Sequence, residues 1–159
     1  MTNSTATVLL RIAGALWVIW GFVHAFAGVM TINLPTGDAV QGIADAVPAG
    51  EILGSYHAAV GAVVNQHGWN LLWGGIVTLV CGILMFRNND TAIWLAALVG
   101  GLLDIGYFVF LDLGDFVNFV PGTVMTLVSG TAILISASVV FARYRANALP
   151  QSSLKDRLS

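Results

Sequence analysis

The chain has 159 residues, of which 57% are hydrophobic and only 9% charged, and its mean hydropathy is +0.85. Soluble domains carry about 25% charged and about 45–50% apolar residues, so a water-soluble core is excluded as the destination of this much apolar surface. A net charge of −2 offers nothing to a nucleic-acid backbone, and a single cysteine, Cys81, excludes an intramolecular disulfide, a CxxC redox pair and a cysteine-built metal centre.

Four apolar stretches follow in chain order, at about 12–32, 69–86, 92–111 and 119–142, each near the roughly 20 residues that cross a hydrocarbon core. They are solid apolar runs rather than alternating ones, which points to helices and not to a barrel. The expected fold is therefore all-α: an integral membrane four-helix bundle, a single domain over residues 1–148, with a loose polar tail at 149–159. Arg11 ahead of an apolar run that ends in Ala25-Phe26-Ala27 resembles a cleavable signal, but Trp17, Trp20 and His24 within that run favour a retained span.

The basic residues orient the chain. Arg11 precedes the first span, Arg87 sits in the second connection, and Arg143, Arg145, Lys155 and Arg157 follow the fourth. The first and third connections hold only acids: Asp38, Asp45, Glu51, Asp112 and Asp115. The positive-inside rule then places both termini in the cytoplasm, and the layout is that of a small protein of the bacterial inner membrane.

The first outer connection, about 33–68, is too long for a turn. It opens on the turn signal Leu34-Pro35-Thr36-Gly37. Beyond Glu51, the residues Ile52, Tyr56, Val60, Val63 and Val64 recur at helical spacing, so an amphipathic helix is expected there as an outer cap.

Spans two and four align without gaps over 70–82 and 118–130, sharing Gly-xxx-Thr-xxx-Gly: Gly74, Thr78, Gly82, and Gly122, Thr126, Gly130. Spans one and three align more faintly, Gly21-Phe22-Val23-His24 with Gly101-Leu102-Leu103-Asp104. The pattern suggests a duplicated two-helix hairpin, with small residues letting backbones approach.

Ionisable side chains inside a membrane are costly and mark a functional hypothesis. His24 and Asp104 each lie about 12 residues into their spans, roughly 18 Å deep, on small-residue faces that should meet inside the bundle. Tyr107 follows Asp104 on the same face. The pair reads as a ligand anchor, a proton relay or a structural hydrogen bond. A metal site would need His24, Asp104 and one or both of His57 and His67, in spacings that match no known motif. A bis-histidine haem is disfavoured because only one histidine lies within a span, and no phosphate loop, catalytic triad or dinucleotide fingerprint is present. Trp69, Trp73 and Trp94 read as interface anchors, Trp17 and Trp20 as deeper packing, and Cys81 as a small packing residue.

The leading functional expectation is a non-catalytic membrane protein that binds a small apolar ligand or serves as an accessory subunit. A membrane oxidoreductase or metal or haem protein is the first alternative, and a small oligomeric transporter the second. The expected partners are the lipid bilayer and further copies or a larger membrane complex.

Overall fold

A computed structural model describes residues 3–148. The tail expected at 149–159 lies outside the described residues. Six α-helices occur in the order α1 (Asn3–Asn33), α2 (Thr36–Ile43), α3 (Ala49–Ile52), α4 (Ala58–Met85), α5 (Asp90–Tyr107) and α6 (Val124–Ala148). π-helical turns at Phe108–Asp112 and Phe119–Thr123 extend α5 and lead into α6. Four of these segments, Ser4–Asn33, Ala58–Met85, Asp90–Asp112 and Phe119–Ala146, are long and apolar enough to cross a membrane.

The long helices form a closed ring in which α1 touches α4 and α6, and α5 touches the same two. Successive long helices run antiparallel, and α1 and α5 face each other across the bundle axis. Two adjacent asparagines build the turn between α4 and α5. Asn88 adopts the left-handed conformation (φ 57°) and closes α4 through its N–H to the Met85 carbonyl. Asn89 then caps α5, its side-chain oxygen accepting from the Ala92 N–H at 3.0 Å.

The outer connection is helical, but not where the periodicity placed the helix. Pro35 starts α2, which buries Ala39 against the bundle. The stretch from Glu51 to Asn65 is divided instead. Pro48 starts the single turn α3, residues 53–57 are non-helical, and His57 caps α4 by accepting the Ala59 N–H on Nδ1. The apolar repeat at Val60, Val63 and Val64 is therefore the first turns of α4, which runs unbroken into span two. Helical spacing is the same in a cap and in an extension of a span, so periodicity alone does not separate them.

The tightest packing joins α1 to α4 through glycines at seven-residue spacing. Gly14, Gly21 and Gly28 lie against Gly82, Gly75 and Gly68. A Cβ added at Gly21 would sit 2.6 Å from the Gly75 carbonyl oxygen, and one at Gly82 would sit 2.7 Å from that of Gly14. Backbones this close leave no room for any side chain. The two aligned Gly-xxx-Thr-xxx-Gly stripes are not used alike. Thr78 is buried and donates to the Gly74 and Gly75 carbonyls, whereas a Cβ at Gly130 would meet nothing within 4 Å. Close backbone packing at Gly130, expected from the stripe, is corrected by this open space.

Trp17 and Trp20 fill the middle of the bundle, both 0% exposed and 5.7 Å apart edge to face. The exterior is apolar, with Phe22, Trp94, Leu102, Phe110 and Leu134 all exposed. At the end of the bundle away from the termini the first connection is pinned to the third. The Asn118 N–H donates 2.7 Å to Asp45 Oδ1, the Asn118 amide donates to the Asp45 carbonyl, and the Ala46 N–H donates to that of Phe116.

Candidate functional site

His24 and Asp104 come together across the bundle axis, as their matching depth predicts. His24 Nε2 lies 3.7 Å from Asp104 Oδ1, and both side chains are largely buried. That separation is adjacent but longer than a hydrogen bond. The direct donor to the carboxylate is Trp20, whose indole Nε1 stands 2.8 Å from Oδ2. Trp20 lies one helical turn before His24, and the two rings stack with centroids 3.6 Å apart and planes 16° from parallel. His24 Nδ1 lies 2.9 Å from the Trp20 carbonyl oxygen. Ser129 of α6, whose hydroxyl donates to the Thr126 carbonyl at 3.0 Å, borders a hollow together with Asp104. Asp104 thus sits at the meeting point of α1, α5 and α6.

Above this group lies a cavity of about 180 Å³. Its walls are mostly apolar: Val23, Ala27 and Met30 of α1, Leu71 of α4, Pro121 and Met125. Ala39, Gly42 and Ile43 of α2 close over it. The polar wall carries His24, Asp104, Tyr107, His67 and Thr31. Thr31 is already engaged, its hydroxyl donating to the Ala27 carbonyl. Tyr107 shares the cavity but sets its hydroxyl against Gly122 rather than bonding to Asp104. Asp112, just beyond, accepts the Thr123 hydroxyl at 2.6 Å, while its second carboxylate oxygen is buried without a partner.

The four residues considered for a metal do not assemble. His67 lines the cavity with His24 and Asp104, but His57 is exposed and occupied as the cap of α4. Among the described residues no three of histidine, cysteine, aspartate and glutamate stand close enough to hold a metal ion. No match to this chain is found among protein-family models, curated proteins or solved structures. The site is therefore read from its own geometry.

One member of this site, Trp20, escapes a reading of the sequence, and a second, His67, is named by it only as a metal candidate in the first connection. Trp20 looks like packing because tryptophan is the most apolar-bodied of polar residues, and nothing local shows where its N–H points. His67 looks like part of the outer connection because the apolar run begins only at Trp69. The one available signal is that His67 lies one residue before Gly68, the first glycine of the seven-residue series on α4. That series would have placed it in the bundle.

Proposed function

We propose that this protein resides in a membrane, in a bacterial cell the inner membrane, with both termini in the cytoplasm, and binds a small, largely apolar molecule without transforming it. The carrying observation is the cavity: a largely apolar pocket in the half of the bundle away from the termini, lined in part by α2, with His24 and Asp104 side by side in its wall. Ligand pockets commonly pair extensive apolar lining with a few convergent polar groups that set orientation. The apolar exterior of the bundle supports the membrane, and the distribution of the arginines supports the orientation.

Toluene is a suitable first probe, since it needs only apolar volume. Saturable toluene binding by the protein in lipid nanodiscs, measured against protein-free nanodiscs, is the expected result. Ala27→Leu, which pushes bulk into the chamber, should weaken it about tenfold or more. Uptake no greater than that of the empty nanodiscs for toluene and for its alcohol, benzyl alcohol, alike would refute the binding reading.

A small transporter acting as an oligomer is the second reading. One observation favours it: Asp104 also borders a hollow of about 270 Å³ on the outer side of α5 and α6, lined by Leu98, Gly101, Ile105 and Gly130. The same carboxylate is thus reached from two sides.

A further inference from the structure

The His24–Asp104 contact is incomplete as a hydrogen-bonded unit, and what would complete it narrows the class of ligand. This step rests on reading the cavity as a binding site.

His24 Nδ1 lies 2.9 Å from the Trp20 carbonyl oxygen. A carbonyl oxygen only accepts, so Nδ1 carries a hydrogen, and in the neutral ring Nε2 is left as an acceptor. Nε2 faces Asp104 Oδ1 at 3.7 Å. An ionised carboxylate is also an acceptor only, so the two atoms would set lone pair against lone pair. One proton on the pair removes that conflict. It gives either an imidazolium beside a carboxylate or an imidazole beside a carboxylic acid, and both forms carry no net charge. At 3.7 Å the proton does not bridge the two atoms by a direct hydrogen bond.

A group seated beside this gap closes the circuit if it both accepts and donates. It accepts from whichever partner holds the shared proton and donates its own hydrogen to the other. A hydroxyl does both. A carbonyl or carboxylate only accepts, and an ammonium only donates. Either ion would also add a charge with no partner to an apolar chamber. Size sets the remainder of the molecule. A dry cavity of about 150 Å³ is known to hold benzene. The 180 Å³ here has room for one ring, or an aliphatic chain of similar bulk, with a small substituent.

The geometry points to an uncharged hydroxyl compound with a small apolar body as the ligand class of this cavity. The hydroxyl lies between His24 and Asp104, and the body lies against Val23, Ala27, Leu71 and Met125.

Four probes of matched shape test it: benzyl alcohol, toluene, benzoate and benzylamine. Each is titrated calorimetrically into the full chain in lipid nanodiscs, with protein-free nanodiscs as the blank. Benzyl alcohol should bind about tenfold or more tightly than either ion, and at least as tightly as toluene, as the loss of one buried hydrogen-bonding partner implies. In His24→Phe the ring keeps its stack on Trp20 but loses both nitrogens. Benzyl alcohol should weaken there about tenfold relative to toluene, whose own affinity is measured in the same variant. If toluene binds saturably and benzyl alcohol binds more weakly, or an ion matches it, or His24→Phe leaves it unaffected, the hydroxyl inference is overturned and the binding reading stands. If none of the four binds saturably, both are overturned. Should His24→Phe fail to fold, the four-probe comparison on the unaltered protein decides the matter.

Discussion

An indole N–H that donates 2.8 Å to Asp104 and an indole face stacked 3.6 Å from the His24 ring belong to one side chain, Trp20. With Trp20 fully buried, removing its N–H leaves a carboxylate oxygen short of a donor inside the bundle. Such a loss typically costs about 1–3 kcal/mol. Trp20→Phe should therefore lower the unfolding midpoint in detergent, while Phe22→Leu, at an exposed position, should leave it nearly unchanged. Equal midpoints for the two variants would show that the Trp20–Asp104 bond contributes nothing. Asp104→Asn separates structure from binding at the same place. The amide oxygen still accepts from Trp20, and the amide nitrogen faces His24 with a hydrogen rather than a lone pair, so stability should stay within about 1 kcal/mol of the parent. At this scale His24 and Asp104 were legible, because an ionisable residue in an apolar run stands out and depth follows from residue count. Their true donor was not, because the direction of an indole N–H depends on a rotamer and a neighbour 84 residues away.

Between α1 and α4 the contact is backbone on backbone, and the seven-residue glycine series sets its register. Each seven-residue step outward on α1 meets a seven-residue step back along α4, as antiparallel helices require. Gly21→Ala or Gly75→Ala should destabilise the bundle by about 1–3 kcal/mol, since the added methyl would collide with rigid backbone rather than a movable side chain. Gly130→Ala should be tolerated, because the new methyl enters open space. Thermal unfolding of the three variants in one detergent checks the order, and a Gly130 variant as unstable as the Gly21 one would contradict it. The glycine stripe on span two was visible in the sequence, but its partner was not. Pairs four apart were noticed, whereas the functional spacing is seven, and it becomes meaningful only once α1 is seen to carry the same series. The outer helix was likewise half legible: its amphipathic pattern is real, yet it continues α4 instead of lying over the bundle.

For the whole molecule, the asymmetry of the arginines predicts an experiment that the fold alone does not decide. Single cysteines placed near Arg87 should be shielded from an impermeant thiol reagent applied to intact cells, while cysteines near Asp45 and Asp115 should react. The buried Cys81 is replaced by serine beforehand. Labelling with the opposite pattern would invert the orientation and place the cavity on the cytoplasmic side. The Asp45–Asn118 clasp ties the first and third connections together, so cysteines near Asp45 and near Asp115 should label alike.

Four long helices, their order along the chain and the depth of the two buried ionisable residues follow from sequence alone, because each is a consequence of local composition and length. Apolar runs must become helices where no water satisfies the backbone, and residue count then sets depth. Which helices touch, where backbones meet and where space remains are different in kind. They depend on side chains far apart in the chain competing for the same volume. Only the folded bundle sets Trp20 between His24 and Asp104, brings His67 into their cavity, turns His57 away from it, and leaves open beside Gly130 the space that is closed beside Gly82.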